Sequence, residues 1–85
     1  LQAQKAKNEY QLSIENYQTL KRNVNLAQRI EKKQRVKFFE GISSSFDLLQ
    51  AQNQLYAQQQ NYIQSMLTII AKKATLENAL NLQIK

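Results

Sequence analysis

The chain has 85 residues, of which 42% are apolar and 21% charged, and its formal net charge is +6. It contains no Cys, His or Pro and a single Gly. These absences exclude a disulfide scaffold, a thiolate or imidazole metal site, a phosphate-cradling glycine loop and any His- or Cys-based triad. We therefore expect one small non-enzymatic domain without metal or cofactor, built from long uninterrupted helices.

The first predicted element is a helix over residues 1–40. Its apolar residues recur in steps of three or four, which is the helical period. They are Ala3, Ala6, Tyr10, Ile14, Tyr17, Leu20, Val24, Ala27 and Ile30. The pattern weakens over 31–35 and resumes at Val36, Phe38 and Phe39. The start shows no export signal, and we expect the sequence to be a piece of a longer protein.

A tight turn is predicted at residues 41–44. Gly41 is placed to end the first helix in the left-handed conformation, and Ile42 can then fold back on the last helical turn. Ser44 is a good N-cap for a second helix, and Asp47 three residues later completes a capping box. Stop and start signals this close together predict that the chain reverses direction within a few residues.

The second predicted helix, about 45–82, carries two apolar stripes with a seven-residue repeat, which is typical of coiled coils. One stripe is Leu48, Leu55, Tyr62, Ile69 and Leu76; the other is Leu49, Tyr56, Ile63 and Ile70. The fold class is therefore all-α, with two long antiparallel helices forming a coiled-coil hairpin. Either one stripe closes the hairpin and the other needs a further partner, or both belong to one wide core; the pattern leaves both interpretations open.

Two further features bear on chemistry. The Glu residues are scattered, so no acid/base pair or cation cage is predicted, and we expect no enzyme. A basic cluster precedes the turn and consists of Arg29, Lys32, Lys33, Arg35 and Lys37. It could bind RNA or acidic lipid. We favour a solvated face, because cations are stabilised near a helix C-terminus and no aromatic stacking platform accompanies them.

The stretch 37–81 resembles the second helical repeat of the TolC family of outer-membrane efflux proteins. Hairpin tips of that family read, loosely, aromatic-x-x-Gly-x-x-Ser/Thr-x-x-Asp-Val/Leu-Leu-x-Ala. This chain has Phe38-Phe39-Glu40-Gly41-Ile42-Ser43-Ser44-Ser45-Phe46-Asp47-Leu48-Leu49-Gln50-Ala51. The continuation Leu55-Tyr56, Tyr62 and Leu76-Glu77-Asn78-Ala79-Leu80 also fits the family, whereas Asn81 stands where the family usually has Gly.

The resemblance implies a trimer whose hairpins form a hollow helical cylinder in the periplasm of a Gram-negative bacterium. That cylinder would join an outer-membrane barrel to a periplasmic adaptor protein and an inner-membrane pump. The tip residues Gly41, Ile42, Ser43 and Ser44 would dock on the adaptor, and one apolar stripe would pack on a neighbouring hairpin. We expect this chain to self-associate through Tyr56, Ile63 and Ile70, with no nucleic-acid partner. The alternatives are a basic hairpin arm that binds RNA and a plain oligomerisation or tether hairpin.

Overall fold

The computed structural model describes residues Gln2–Ile84, which form two helices and a short turn. Helix α1 spans Gln2–Phe39 and helix α2 spans Ser45–Ile84. They pack along each other as a hairpin with dimensions of 67 × 13 × 12 Å. The predicted all-α hairpin is thus confirmed. Helix α1 ends one residue before its predicted end and α2 ends two residues beyond it, while the predicted start at Leu1 lies outside the described residues.

Helix α1 faces α2 through a seam of mostly small side chains. The buried residues are Ala6, Ser13, Val24 and Ala27. Near the turn the seam passes through the half-buried Glu31 and Gln34. Four apolar residues that the sequence pattern placed on this side are instead exposed: Ile30, Val36, Phe38 and Phe39. The seven-residue repeat keeps the seam on one line and leaves Ile30, Val36 and Phe39 beside it. Phe38 continues that line seven residues after Glu31, and it is 37% exposed at the end of α1.

The side of α2 that faces α1 carries large side chains with small residues between some of them. Its half-buried large residues are Leu48, Leu55, Tyr62, Ile69 and Leu76. Three residues beyond Leu48 and Tyr62 lie the most deeply buried small residues of the helix, Ala51 and Ser65, which are 5% and 3% exposed. Small residues let the two backbones approach closely, and the large side chains then interdigitate between them.

Two polar contacts fix how α1 and α2 are aligned. At mid-length the rings of Tyr17 and Tyr62 are stacked with centroids 5.1 Å apart, and their hydroxyl oxygens lie 2.9 Å apart in a hydrogen bond. Nearer the open end, Lys72 Nζ lies 3.2 Å from Glu9 Oε2. The hydrogen bond with Tyr17 raises the pKa of Tyr62 above its usual value, and desolvation and repulsion by Tyr17 act in the same direction.

The rod has a thin core. Among the residues whose burial is described, no large side chain is fully buried. Two helices can cover only one face of each other, so the opposite faces remain in contact with water. What those outer faces carry therefore decides what else the molecule can contact.

Candidate functional site: the hairpin tip and the outer face of α2

The turn is a Schellman motif centred on Gly41. Gly41 has a φ of +76°, in the left-handed region. The Ile42 N–H donates to the Lys37 carbonyl at 2.8 Å, and the Gly41 N–H donates to the Phe38 carbonyl at 3.0 Å. This is the hydrogen-bond pattern that satisfies the last carbonyls of a helix. A Cβ added at Gly41 would meet nothing within 4 Å, so the backbone conformation alone favours glycine here.

Ser44 caps the start of α2. Its Oγ accepts a hydrogen bond from the Asp47 N–H at 3.2 Å, which satisfies one of the first free N–H groups of the helix. Within the described residues, the Asp47 carboxylate makes no return hydrogen bond to Ser44, so only half of the predicted capping box forms. Asp47 is the acidic residue of the first turn of α2, where its negative charge interacts favourably with the positive end of the helix dipole.

The tip presents three large apolar side chains to water. Phe39, Ile42 and Phe46 are 78%, 70% and 69% exposed. The Ile42 side chain therefore does not pack on the last turn of α1, although its N–H donates to the Lys37 carbonyl in that turn as expected. Phe39 and Phe46 are absent from the predicted docking residues, because the sequence motif points to the turn itself. Their positions directly before and after the turn are the signal that identifies them.

The remaining predicted docking residues offer less contact surface. Ser43 is half-buried, and its hydroxyl oxygen is buried without a hydrogen-bond partner among the described residues. Ser44 is occupied in capping α2. Of residues 41–44, Ile42 alone projects a large side chain, so the apolar tip is defined here as Phe39, Ile42 and Phe46.

The two stripes of α2 have different environments. The stripe that begins at Leu48 is half-buried against α1, whereas Leu49, Tyr56, Ile63 and Ile70 are between 46% and 65% exposed. Successive residues lie about 100° apart around a helix, which explains why neighbouring stripes separate onto different faces. One stripe closes the hairpin, and the other is left without a partner inside the chain.

Two more residues extend the exposed stripe into a full seam. Phe46 and Leu67 are exposed and lie three or four residues from members of the stripe. Once the polar Asn53 and Gln60 are included, the steps of three and four are those of a coiled-coil seam. We call this set the outer apolar face; it comprises Phe46, Leu49, Tyr56, Ile63, Leu67 and Ile70. It lies nearly opposite the seam that packs on α1.

The basic cluster is exposed on the last turns of α1. Arg29, Lys32, Lys33 and Lys37, together with Val36, line one shallow depression. The fifth member, Arg35, is paired with Glu31, with Arg35 Nε 3.5 Å from Glu31 Oε1. The cluster is partly compensated, as expected for a solvated face, and its four other members lie on the last turns of α1 before the turn.

The part of the chain that the structure describes shows neither a metal-binding cluster nor a membrane-spanning helix. Over Gln2–Ile84, no three acidic residues lie close enough together to hold a metal ion. Over the same range, no helix has an apolar segment long enough to cross a bilayer. The chain matches no protein-family model, no curated protein and no solved structure. The features that stand out as candidates for function are interaction surfaces: the tip, the outer apolar face and the basic cluster.

Proposed function

We propose that this hairpin is a structural segment of the periplasmic α-helical tunnel of a TolC-like outer-membrane export channel. In that role it catalyses no reaction and forms part of the tunnel wall. Its tip docks on a periplasmic adaptor protein, which connects the channel to an inner-membrane pump. The parent protein would be a homotrimer in the outer membrane of a Gram-negative bacterium.

The observation that carries this proposal is the outer apolar face of α2. Its stripe from Leu49 to Ile70 extends about 32 Å along the helix axis. A monomeric rod gains nothing from a long apolar face in water, whereas a wall of side-by-side hairpins needs one on each element. The inner seam and the outer face lie on nearly opposite sides of α2, as lateral packing into a wall requires.

The tip supports the docking role. The Schellman turn and the Ser44 cap hold the end of the hairpin in one conformation, so little ordering entropy opposes binding. Phe39, Ile42 and Phe46 are exposed at that end, and aromatic side chains are enriched among residues that dominate binding energy. A partner that covers these three side chains gains apolar burial from a rigid surface.

A photo-crosslinking amino acid in the full-length parent protein tests this proposal in living cells. With the label at Ile42, we expect an adduct with a periplasmic adaptor, identified by mass spectrometry, in the outer-membrane fraction. The matched control is a label at Gln18, which is exposed at mid-length on α1. A parent that fractionates with the cytosol, or equal adaptor adducts from both positions, would contradict the assignment.

The basic cluster supports a second candidate, an RNA-binding arm. Arg29, Lys32, Lys33 and Lys37 line one shallow depression, and phosphate binding through such a cluster of cations weakens steeply with salt. On our main proposal, RNA binds only weakly and is lost at physiological salt. Tight, sequence-selective and salt-tolerant RNA binding in a filter assay would replace the export role with this one.

A further inference from the structure

We infer that two copies of this chain pair through the outer apolar face of α2, with the two α2 helices antiparallel and related by a two-fold axis. The order of elements across the pair would be α1, α2, α2 and α1, in a single layer. This pairing goes beyond the proposed tunnel role and does not rest on it. Hairpins in a tunnel wall would point in one direction, whereas the paired copies point in opposite directions.

The spacing of the outer apolar face is self-complementary. In an antiparallel coiled coil, the two kinds of seam position face each other in layers. Sliding one α2 along the other brings apolar layers together at both ends of the face in the same register. The outer layers then pair Phe46 with Ile70 and Leu49 with Leu67, while the central layers pair Tyr56 with Gln60 and Ile63 with Asn53.

Charge selects α2 over α1 as the contact surface. No charged residue occurs between Leu48 and Ala71, so two such faces meet without repulsion. Residues 1–40, in contrast, hold nine Lys or Arg against four Glu, and two α1 helices would repel each other. In the layer described above, the two α1 helices lie at opposite edges, where their positive charges are far apart and solvated.

Charge also selects the antiparallel direction. The charged residues that bound the neutral stretch are Asp47 at its N-terminal end and, at its C-terminal end, Lys72, which is paired with Glu9 of α1, and the exposed Lys73. Antiparallel packing places Asp47 of each copy at the same end as Lys73 of the other copy. Parallel packing would place like charges side by side and would align the helix dipoles unfavourably.

Site-directed crosslinking tests the two-fold axis. The axis passes between Tyr56 and Gln60, so the Ala57 residues of the two copies face each other on one flank, and Gln50 of one copy faces Gln64 of the other. All three flank residues are exposed, and the chain has no native cysteine. A short bis-maleimide should therefore link Ala57→Cys to itself, and should link Gln50→Cys to Gln64→Cys only when the two variants are mixed.

The result that would overturn the antiparallel pairing is self-crosslinking of Gln50→Cys alone and Gln64→Cys alone, as parallel helices require. The absence of any Ala57→Cys dimer at concentrations where the chain sediments as a dimer would overturn it as well. Neither result bears on adaptor docking, which is read from the Ile42 label in the full-length parent.

Sedimentation equilibrium tests the surface itself. Tyr56→Gln with Ile63→Gln should lower the association constant by at least about tenfold, because both copies lose apolar burial. The matched control is Leu12→Gln with Leu26→Gln, which removes two apolar side chains of α1 that are 63% and 57% exposed, against 64% and 46% for Tyr56 and Ile63, and should leave association unchanged. A wild-type chain that stays monomeric up to millimolar concentration, or equal effects of the two double variants, would refute the inference.

Discussion

The left-handed conformation of Gly41 allows a test that separates backbone strain from side-chain packing. The φ of +76° costs an L-residue about 1–2 kcal/mol relative to glycine. No atom lies within 4 Å of the place that a Cβ would occupy, so sterics from neighbours add nothing. We therefore expect Gly41→Ala to destabilise the hairpin by about 1 kcal/mol, because reduced freedom of the unfolded chain offsets part of the strain.

A D-amino acid at position 41 should have the opposite effect on stability. D-alanine prefers positive φ, so it fits the turn without strain, and the open space around Gly41 accepts its methyl group. We expect it to stabilise the hairpin by about 0.4–1 kcal/mol through the unfolded state. Gly41→Val should be the most destabilising substitution, since a β-branched side chain is poorly tolerated at positive φ.

Thermal unfolding followed by far-UV circular dichroism at one fixed chain concentration measures these effects. In a domain of this size, 1 kcal/mol corresponds to a change of about 4–8 °C in Tm. Ser43→Ala is the matched control in the same turn, and it should leave Tm unchanged or raise it slightly, because the Ser43 hydroxyl is buried without a partner among the described residues. Equal shifts for L- and D-alanine at position 41 would refute the assigned turn geometry.

Three further substitutions test the cap, the seam and the tyrosine pair. Ser44→Ala should cost about 1 kcal/mol in urea unfolding through the lost N-cap, whereas an unchanged midpoint would contradict the cap. In the monomeric chain at low concentration, Ala51→Leu should destabilise by about 1–3 kcal/mol through overpacking of the seam, and Ala57→Leu, on the exposed side, should not. The pKa of Tyr62 is raised in the folded state, so this contribution to stability is present below the unfolded-state pKa of about 10 and is lost at higher pH. Tyr17→Phe should therefore flatten the fall of Tm between pH 9 and 11, and identical pH profiles would contradict the coupling.

The turn could be predicted from the sequence because its signals are local. Gly41 and Ser44 act through the backbone of their own few residues, and no distant contact has to be known. The return bond of Asp47 could not be predicted, since side-chain rotamers in an exposed first turn are not dictated by the motif. The exposure of Ile42 likewise could not be predicted, since the motif fixes the hydrogen bond of its N–H and not the position of its side chain.

The choice between the two stripes of α2 needed the structure, because their apolar residues are equally suitable for a core. What distinguishes them is the residue three positions further on. Ala51 and Ser65 follow Leu48 and Tyr62, although Gln58 and Lys72 follow Leu55 and Ile69. In the other stripe every such position holds a large residue: Gln52, Gln59, Met66 and Lys73. Small residues admit close helix packing, and large ones hold a partner away. This signal lies in the sequence, but it becomes decisive only when a specific partner helix is considered.

In the seam of α1, hydrophobicity does not predict which residues are buried. Hydrophobicity alone places Ile30 inside and gives Ser13 no role, yet Ser13 is buried and Ile30 is 41% exposed. Ser13 is compatible with burial because its hydroxyl donates to the Tyr10 carbonyl at 2.6 Å. A small residue whose polar group is satisfied within its own helix costs little to bury. The geometry of close packing, rather than the apolar character of the residue, selects it.

A helix with apolar seams on nearly opposite sides cannot be satisfied by a single antiparallel partner. Helix α1 covers the seam of Leu48 and leaves the outer apolar face in water, and without a fully buried large side chain among the described residues the hairpin has little core to stabilise it. Covering the second seam adds burial of the kind that dominates folding free energy, at roughly 25 cal/mol per Å². The same face therefore favours a lateral neighbour whether that neighbour is a hairpin of a tunnel wall or a second copy of this chain. Direction distinguishes the two: a wall requires parallel hairpins of compatible sequence, whereas Asp47 and Lys73 favour antiparallel pairing when both partners are this chain.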